Sequence, residues 1–91
     1  MPAIVRHILV ADRALADTLK QQLAQGADFA ALARRHSTCP SGRKGGELGE
    51  VKKGQLVAPV GRVVFTQPEH TVQGPVKSRF GWHLIEVKFR Y

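Results

Sequence analysis

Two histidines are the side chains of this sequence that are best placed for shared chemistry. His7 interrupts an apolar run near the beginning of the chain, and His83 opens a similar run near its end. Both runs have the composition of β-strands, and an imidazole buried in a strand needs hydrogen-bond partners. If the two strands are neighbours, the rings can partner each other. The pair is then either part of a functional site or a satisfied structural pair, and the residues alone favour neither interpretation.

Cys39 is the third candidate, and it is the only cysteine of the chain. A thiol near a histidine can act as a covalent nucleophile, but the residues around Cys39 match no cysteine-hydrolase motif, and a small buried thiol is the more common role. A lone cysteine forms no intramolecular disulfide, which is typical of a reducing compartment. Because the histidines lack paired metal-ligand spacing around it, we expect no metal site.

Glycines crowd the segment from Gly42 to Gly54, which also contains Arg43 and Lys44. The spacing does not match a phosphate-binding loop, since no Gly-Lys-Ser/Thr follows a strand. It does not match a dinucleotide fingerprint either, because no helix opens directly after it. We interpret the segment as a loop with tight turns, where glycine permits conformations that other residues avoid.

The elements that must position these residues follow from hydrophobic periodicity. Asp12 and Asp28 are predicted N-caps, and Gly26 is a predicted C-cap glycine. Ile85, Val87 and Phe89 are predicted to face one way in the last strand. The predicted elements are a strand over 3–10, helices over 13–25 and 28–36, a loop over 37–54 with a short strand at 47–51, a helix over 58–66, a strand entered at 74–76, a turn at 80–82 and a strand over 83–89. This order favours an α+β domain in which the first and last strands are central and paired.

Composition limits the classes of function. We expect the 91 residues to form a single domain, 1–91, and a monomer. The formal charge is +7, from 14 Lys and Arg against 7 Asp and Glu, but the basic residues are spread, so a solvated basic surface is favoured over a nucleic-acid site. No apolar run approaches the roughly 20 residues of a membrane span. Residues 3–11 lack the pattern of a signal peptide, so a cytoplasmic protein is expected.

Five motifs in order, together about Ile4 to Val87, resemble the parvulin family of peptidyl-prolyl cis/trans isomerases, and the short stand-alone bacterial members look most similar. They are His7-Ile8-Leu9-Val10, Ala27-Asp28-Phe29-Ala30-Ala31-Leu32-Ala33, Ser37 to Gly42, the pair Gly45-Gly46-Glu47-Leu48-Gly49 and Gly54-Gln55-Leu56-Val57, and Phe80-Gly81-Trp82-His83-Leu84-Ile85.

The resemblance implies a four-stranded antiparallel sheet wrapped by helices, in the order β-α-α-β-α-β-β. It also implies isomerisation of X-Pro bonds in polypeptide clients, without a cofactor. By their positions in the motifs, the resemblance implies that a hydrogen-bonding network at the floor of the site is formed by His7, Cys39, Ser78 and His83. It also implies that the wall of a proline pocket is formed by Leu48, Leu56, Val60 and Phe80.

Four positions depart from the family pattern, among them Gly61, which replaces a polar residue common there. Val60 stands where many members have Phe, and Leu56 where many have Met. The first change removes an aromatic wall, while the second conserves volume. Ala11 stands where phospho-specific members carry Lys, so no phosphate selectivity is expected. The competing interpretation is a weakly active or inactive parvulin-like domain that serves as a chaperone or peptide-binding module.

Overall fold

The structure is a computed structural model that describes residues 2–91. It confirms the predicted order of elements and adds one short 3₁₀ helix. The elements are strand β1 (Ala3–Val10), helices α1 (Arg13–Ala24) and α2 (Phe29–His36), the 3₁₀ helix (Pro40–Lys44), strand β2 (Glu47–Val51), helix α3 (Ala58–Thr66), and strands β3 (Val72–Ser78) and β4 (Gly81–Arg90).

The four strands form one antiparallel sheet with the spatial order β2-β1-β4-β3. The first and last strands of the chain are therefore its central pair, as predicted. Both are paired on both edges, and their buried positions are mostly aliphatic. The fold is the α+β architecture expected from the sequence.

Helices α1 and α2 begin where their caps predict. The Asp12 carboxylate accepts from the backbone N–H of Ala14, and the Asp28 carboxylate accepts from that of Ala31. Each bond satisfies a backbone donor that the first turn of a helix leaves free. Gly26 has a φ of 98°, and its N–H donates to the carbonyl of Leu23. This left-handed conformation just beyond α1 is one that glycine adopts at little cost.

The core has two parts, one on each face of the sheet. We call the face beneath α1 and α2 the closed face; its buried residues are Ile8, Val10, Ala16, Leu19, Phe29, Ala33 and Leu84. We call the other the half-open face, because α3 covers only one part of it; its buried apolar residues are Ala3, Val5, Val51, Val60, Val64, Ile85 and Val87. Side chains of a strand alternate between the faces, so β1 and β4 supply both.

The loop over 37–54 is more ordered than predicted, since it contains the 3₁₀ helix as well as β2. Gly46 fixes how closely the loop approaches the sheet. Its φ is 86°, its carbonyl accepts from the N–H of His7 at 2.9 Å, and a Cβ atom there would lie 2.4 Å from the carbonyl oxygen of His7. No side chain fits at that distance, so a glycine is required beside the histidine strand.

Two details of β4 correct the predictions. The turn predicted at 80–82 ends earlier, because β4 begins at Gly81 and Trp82 already pairs with Val10. Phe89 does not share a face with Ile85 and Val87. The pairing with β1 shifts register between Ile4 and Val5, which rotates the end of the strand. Phe89 is accordingly 44% exposed while Val87 is fully buried.

Candidate active site

A pocket of about 440 Å³ opens on the half-open face beside the N-terminal end of α3. Its walls are apolar and come from four parts of the chain, and both predicted histidines lie at its floor. The apolar wall residues are Leu9, Leu48, Leu56, Val57, Val60 and Phe80. A concave, mostly apolar pocket with a few convergent polar groups is the usual form of a ligand site.

The sheet register places the two histidines diagonally across the central strand pair. His7 lies opposite Ile85, and His83 lies opposite Leu9. The diagonal spacing suits rings that stack, and the ring centroids are 5.4 Å apart with planes 19° from parallel. The Nδ1 atoms of the two rings lie 3.3 Å apart, so the rings partner each other as predicted.

Ser78 extends this pair toward the rim of the pocket. Its Oγ lies 2.6 Å from Nε2 of His83 and accepts from the backbone N–H of Phe80 at 3.1 Å. Ser78 does not itself line the pocket. Its two hydrogen bonds connect His83 at the floor of the pocket to the turn that contains Phe80.

The hydrogen bonds couple the protonation of the three side chains. A hydrogen bond between the two Nδ1 atoms requires one of them to carry a proton and the other to accept it, since each neutral imidazole has one N–H and one acceptor nitrogen. If His83 holds it, Nε2 of His7 is a buried N–H, and that atom has no partner among the described residues. If His7 holds it, the unpaired atom is an acceptor, and Nε2 of His83 donates to Ser78. Buried unpaired acceptors are less costly than buried unpaired N–H groups, which favours the second arrangement.

Both histidines are uncharged at neutral pH. Burial, and to a lesser extent the neighbouring His83, lower the pKa of His7 from 6.5 to about 4. Burial also lowers the pKa of His83. Removing an imidazolium from water is unfavourable without a compensating anion, and no carboxylate lines this pocket. The floor is thus polar but neutral.

Comparison with known proteins agrees with this geometry. The family model of the PPIC-type peptidyl-prolyl isomerase domain, also called rotamase, matches residues 8–88. The solution structure of NmPin, the parvulin of Nitrosopumilus maritimus, superimposes with a TM-score of 0.86 at 33% identity, covering 94% of each chain.

The chain belongs to the parvulin family.

Relatives of greater length include chaperones and foldases. Chaperone SurA of Legionella pneumophila is 41% identical over 93 residues, covering 91% of this chain and 22% of that protein. The crystal structure of the isomerase PrsA from Bacillus cereus has a TM-score of 0.92 at 38% identity, covering 99% of this chain and 35% of the other. The chain therefore spans only about a fifth to a third of the length of these proteins.

Cys39 is the predicted network member that the structure does not join to the histidines. It lines the pocket described above, but its Sγ accepts from Oγ of Ser41 at 3.3 Å, and neither histidine forms a hydrogen bond with it. The expectation that Cys39 shares their hydrogen-bond network is wrong, because the loop turns the thiol toward its own neighbour. Without a base in contact, it also lacks the geometry of an activated nucleophile.

The four predicted wall residues all line the pocket, but they differ in burial. Phe80 is 56% exposed at the rim, whereas Val60 is 2% exposed and also packs in the core beneath α3. Leu48 comes from β2, and Leu56 precedes α3. Val60 thus serves the core as well as the wall, so its size is constrained by both.

Two further aliphatic wall residues, Leu9 and Val57, were not among the predicted site residues, and neither were Thr38, Pro40 and Gln55, which also line the pocket. Leu9 lies two positions after His7 on β1, so strand alternation alone places it on the same face. Val57 directly precedes α3 and has no comparable signal. Within residues 2–91, no three metal-ligating side chains lie together, and no helix is long and apolar enough to span a membrane.

Proposed function

We propose that this parvulin domain accelerates the cis/trans isomerisation of X-Pro bonds in polypeptides, without covalent chemistry. The observation that supports this most strongly is an apolar pocket with a neutral, hydrogen-bonded histidine pair at its floor. The pocket has room for a proline ring, and its floor offers polar atoms without charge.

Isomerisation of an X-Pro bond forms and breaks no covalent bond, so the site only has to favour the twisted form of the amide. Amide resonance creates the barrier of roughly 18–20 kcal/mol to rotation about the peptide bond. In the twisted transition state that resonance is lost, so the carbonyl group is less polar than in the planar amide. An apolar, poorly hydrated site favours the less polar state, and binding the twisted amide better than the planar one is sufficient for catalysis.

The walls and the floor have different roles in this mechanism. Leu48, Leu56 and Val60 hold the proline ring, and Phe80 at the rim excludes water from it. The histidines keep the floor ordered: His7 bonds His83, and His83 bonds Ser78. We assign these three side chains positioning roles, because no step requires a proton to leave or reach the substrate.

A protease-free isomerisation assay on peptides Ala-X-Pro-Phe, with X varied, tests the proposal. We expect acceleration by the native protein, and a roughly tenfold lower kcat/KM in His83→Ala, the rate equivalent of about 1.4 kcal/mol. The matched control is His36→Ala, which removes a histidine from α2 outside the pocket and is expected to keep native turnover.

Failure of the proposal would be clear in that assay. No acceleration of any peptide by protein that is folded by circular dichroism would contradict catalysis. Equal losses in the two histidine variants would contradict the role of the floor. For Cys39→Ala we expect an altered but not abolished rate, and complete loss with the fold intact would instead indicate a covalent step.

A second candidate is a peptide-binding module that assists folding with little catalysis. It is favoured by the absent aromatic side chain at Val60 and by similarity to proteins named as chaperones. Val60→Phe separates the candidates: a strong rise in turnover from near zero indicates that the native domain mainly binds. Because Val60 is buried, overpacking of about 1–3 kcal/mol is expected, so turnover is compared at equal folded fraction.

The proposed partners are proline-containing or unfolded polypeptides, bound by a monomer. Nucleic acid is not favoured, since only the net charge of +7 points to it. Titration with duplex DNA at physiological salt is expected to show weak binding with a steep salt dependence. The cytoplasmic location stays a prediction from the sequence.

A further inference from the structure

A second pocket adjoins the proline pocket and has a different chemical character. Its volume is about 520 Å³, and it shares the residues Thr38, Cys39 and Pro40 with the proline pocket as a common rim. Beyond that rim it is lined by two arginines, Arg34 and Arg43. A peptide that has its proline in the first pocket and crosses this shared rim would pass beside two guanidinium groups.

Rigid elements hold the two arginines around this second pocket. Arg34 lies in the last turn of α2, and Arg43 lies in the 3₁₀ helix. Gly42 is buried where these elements touch, and a Cβ atom there would lie 2.9 Å from the carbonyl oxygen of Ala33. Oγ of Ser37 accepts from the N–H of Leu9 at 3.1 Å, which anchors the intervening loop to the sheet.

The positive charge of the second pocket is not neutralised within the fold. No carboxylate lines it. Across residues 2–91 the ion pairs are Arg6–Glu86, Arg13–Asp17 and Lys88–Glu47, so neither Arg34 nor Arg43 has an acidic partner. The helix dipole favours basic residues at the end of α2, but it applies to Arg34 and Arg35 alike, and Arg35 does not line the pocket.

We propose that the Arg34–Arg43 pocket binds the carboxylate side chain of a residue close to the isomerised proline, so that the domain prefers X-Pro segments flanked by Asp or Glu. Guanidinium groups match carboxylates in geometry and form charge-assisted hydrogen bonds with them. This inference rests on the proposed function, because a substrate must occupy the proline pocket before the residues that flank its proline can contact the neighbouring pocket.

The test compares peptides that differ only in Glu against Gln, placed one or two residues before or after the proline. For at least one position we expect kcat/KM to be about three- to tenfold higher for Glu, the size expected for exposed ion pairs with two arginines. The preference is expected to shrink between low and high salt, since exposed charges are screened.

Two double variants of equal net charge locate the preference. Arg34→Gln with Arg43→Gln is expected to reduce the Glu/Gln ratio to near one. Arg35→Gln with Lys44→Gln changes the adjacent residues, which lie outside the pocket, and is expected to keep both the ratio and the turnover of the Gln peptides.

A Glu/Gln ratio near one at every position in the native protein overturns the inference. An equal fall in both double variants overturns it too, because the preference would then come from net charge alone. If the protein does not isomerise the neutral peptides, the proposed function fails. The Glu and Gln peptides are then compared by their dissociation constants, measured by fluorescence titration. A dissociation-constant ratio near one then overturns the acidic subsite as well.

Discussion

The two faces of the β-sheet differ in how completely helices cover them. On the closed face, α1 and α2 bury Ile8, Val10 and Leu84 with no polar side chain among the buried residues. On the half-open face, α3 covers Val5, Ile85 and Val87, and leaves the part that carries His7 and His83 at the floor of a pocket. Both faces are built from β1 and β4.

This difference shows how a small domain separates stability from function. Alternate residues of one strand project to opposite faces, so the aliphatic set of β1 stabilises the fold while the histidine set shapes the site. A slip of one residue in register would exchange the sets. The bond from His7 N–H to the Gly46 carbonyl and the diagonal histidine pair both depend on that register.

The largest effect that tests the comparison is loss of stability on the closed face. Leu19 is 1% exposed beneath the sheet, so Leu19→Ala is expected to lower the free energy of unfolding by about 3 kcal/mol, from lost burial and the cavity that remains. Urea unfolding measures this, and kcat/KM per folded molecule is expected to stay native. A comparable loss of turnover in the folded variant would show that the faces are not separate.

The next prediction concerns the half-open face, where the fold is expected to lose stability as the pH is lowered. Because the pKa of His7 falls from 6.5 to about 4 on folding, the unfolded chain binds a proton below pH 6.5 that the folded protein does not bind until about pH 4. The free energy of unfolding is therefore expected to fall as the pH is lowered through this window, by about 3 kcal/mol from this residue.

Urea unfolding at pH 7, 6 and 5 measures that acid effect. Replacement of the buried imidazole in His7→Leu is expected to make the decline shallower. Parallel slopes in the native protein and His7→Leu would show that the buried imidazole is not the titrating group.

A smaller effect separates two leucines of similar burial. Leu48 is half-buried at the pocket and Leu32 is half-buried against the closed-face core. We expect Leu48→Ala to lower kcat/KM about fivefold, since about 1 kcal/mol of apolar contact with the proline ring is lost. Leu32→Ala is expected to leave kcat/KM unchanged. Equal kcat/KM values for the two variants would argue against a proline-binding wall at Leu48.

The smallest effect concerns the hydrogen bond at the rim. Ser78→Ala removes the partner of Nε2 of His83, and we expect roughly a threefold lower kcat/KM, the rate equivalent of about 0.6 kcal/mol. The free energy of unfolding is expected to fall by about 1 kcal/mol, the net contribution of a neutral hydrogen bond. Ser41→Ala is the matched control, because it removes the hydroxyl that bonds Cys39 instead. A larger loss of kcat/KM from Ser41→Ala than from Ser78→Ala would indicate that Cys39 has a central role in the mechanism.

Local patterns predicted most of the elements. β1 matches its predicted bounds because its apolar residues are continuous, and α1 and α2 begin at aspartates whose caps are local. The 3₁₀ helix was missed because its sequence, Pro-Ser-Gly-Arg-Lys, is also typical of turns. The exposure of Phe89 was missed because a register shift depends on the partner strand, which the sequence of β4 does not contain.

The candidate site was predicted in part. Pairing of His7 with His83 followed from two polar interruptions in strands expected to be adjacent. Ser78 and the pocket walls came only from the resemblance to parvulins, because residues far apart in the chain converge there. Cys39 was wrongly joined to the histidines, since the direction of a loop side chain depends on local turns that composition does not determine.

Exchange NMR on an X-Pro peptide tests most directly whether the half-open face is the catalytic one. The protein is added at about one-fiftieth of the peptide concentration, in native form and as Leu48→Ala and Leu19→Ala, at a temperature where all three are folded. Cis–trans exchange peaks are expected with the native protein and Leu19→Ala, and weaker peaks with Leu48→Ala. Absence of exchange peaks with the native protein, or a greater loss in Leu19→Ala than in Leu48→Ala, would contradict a catalytic half-open face.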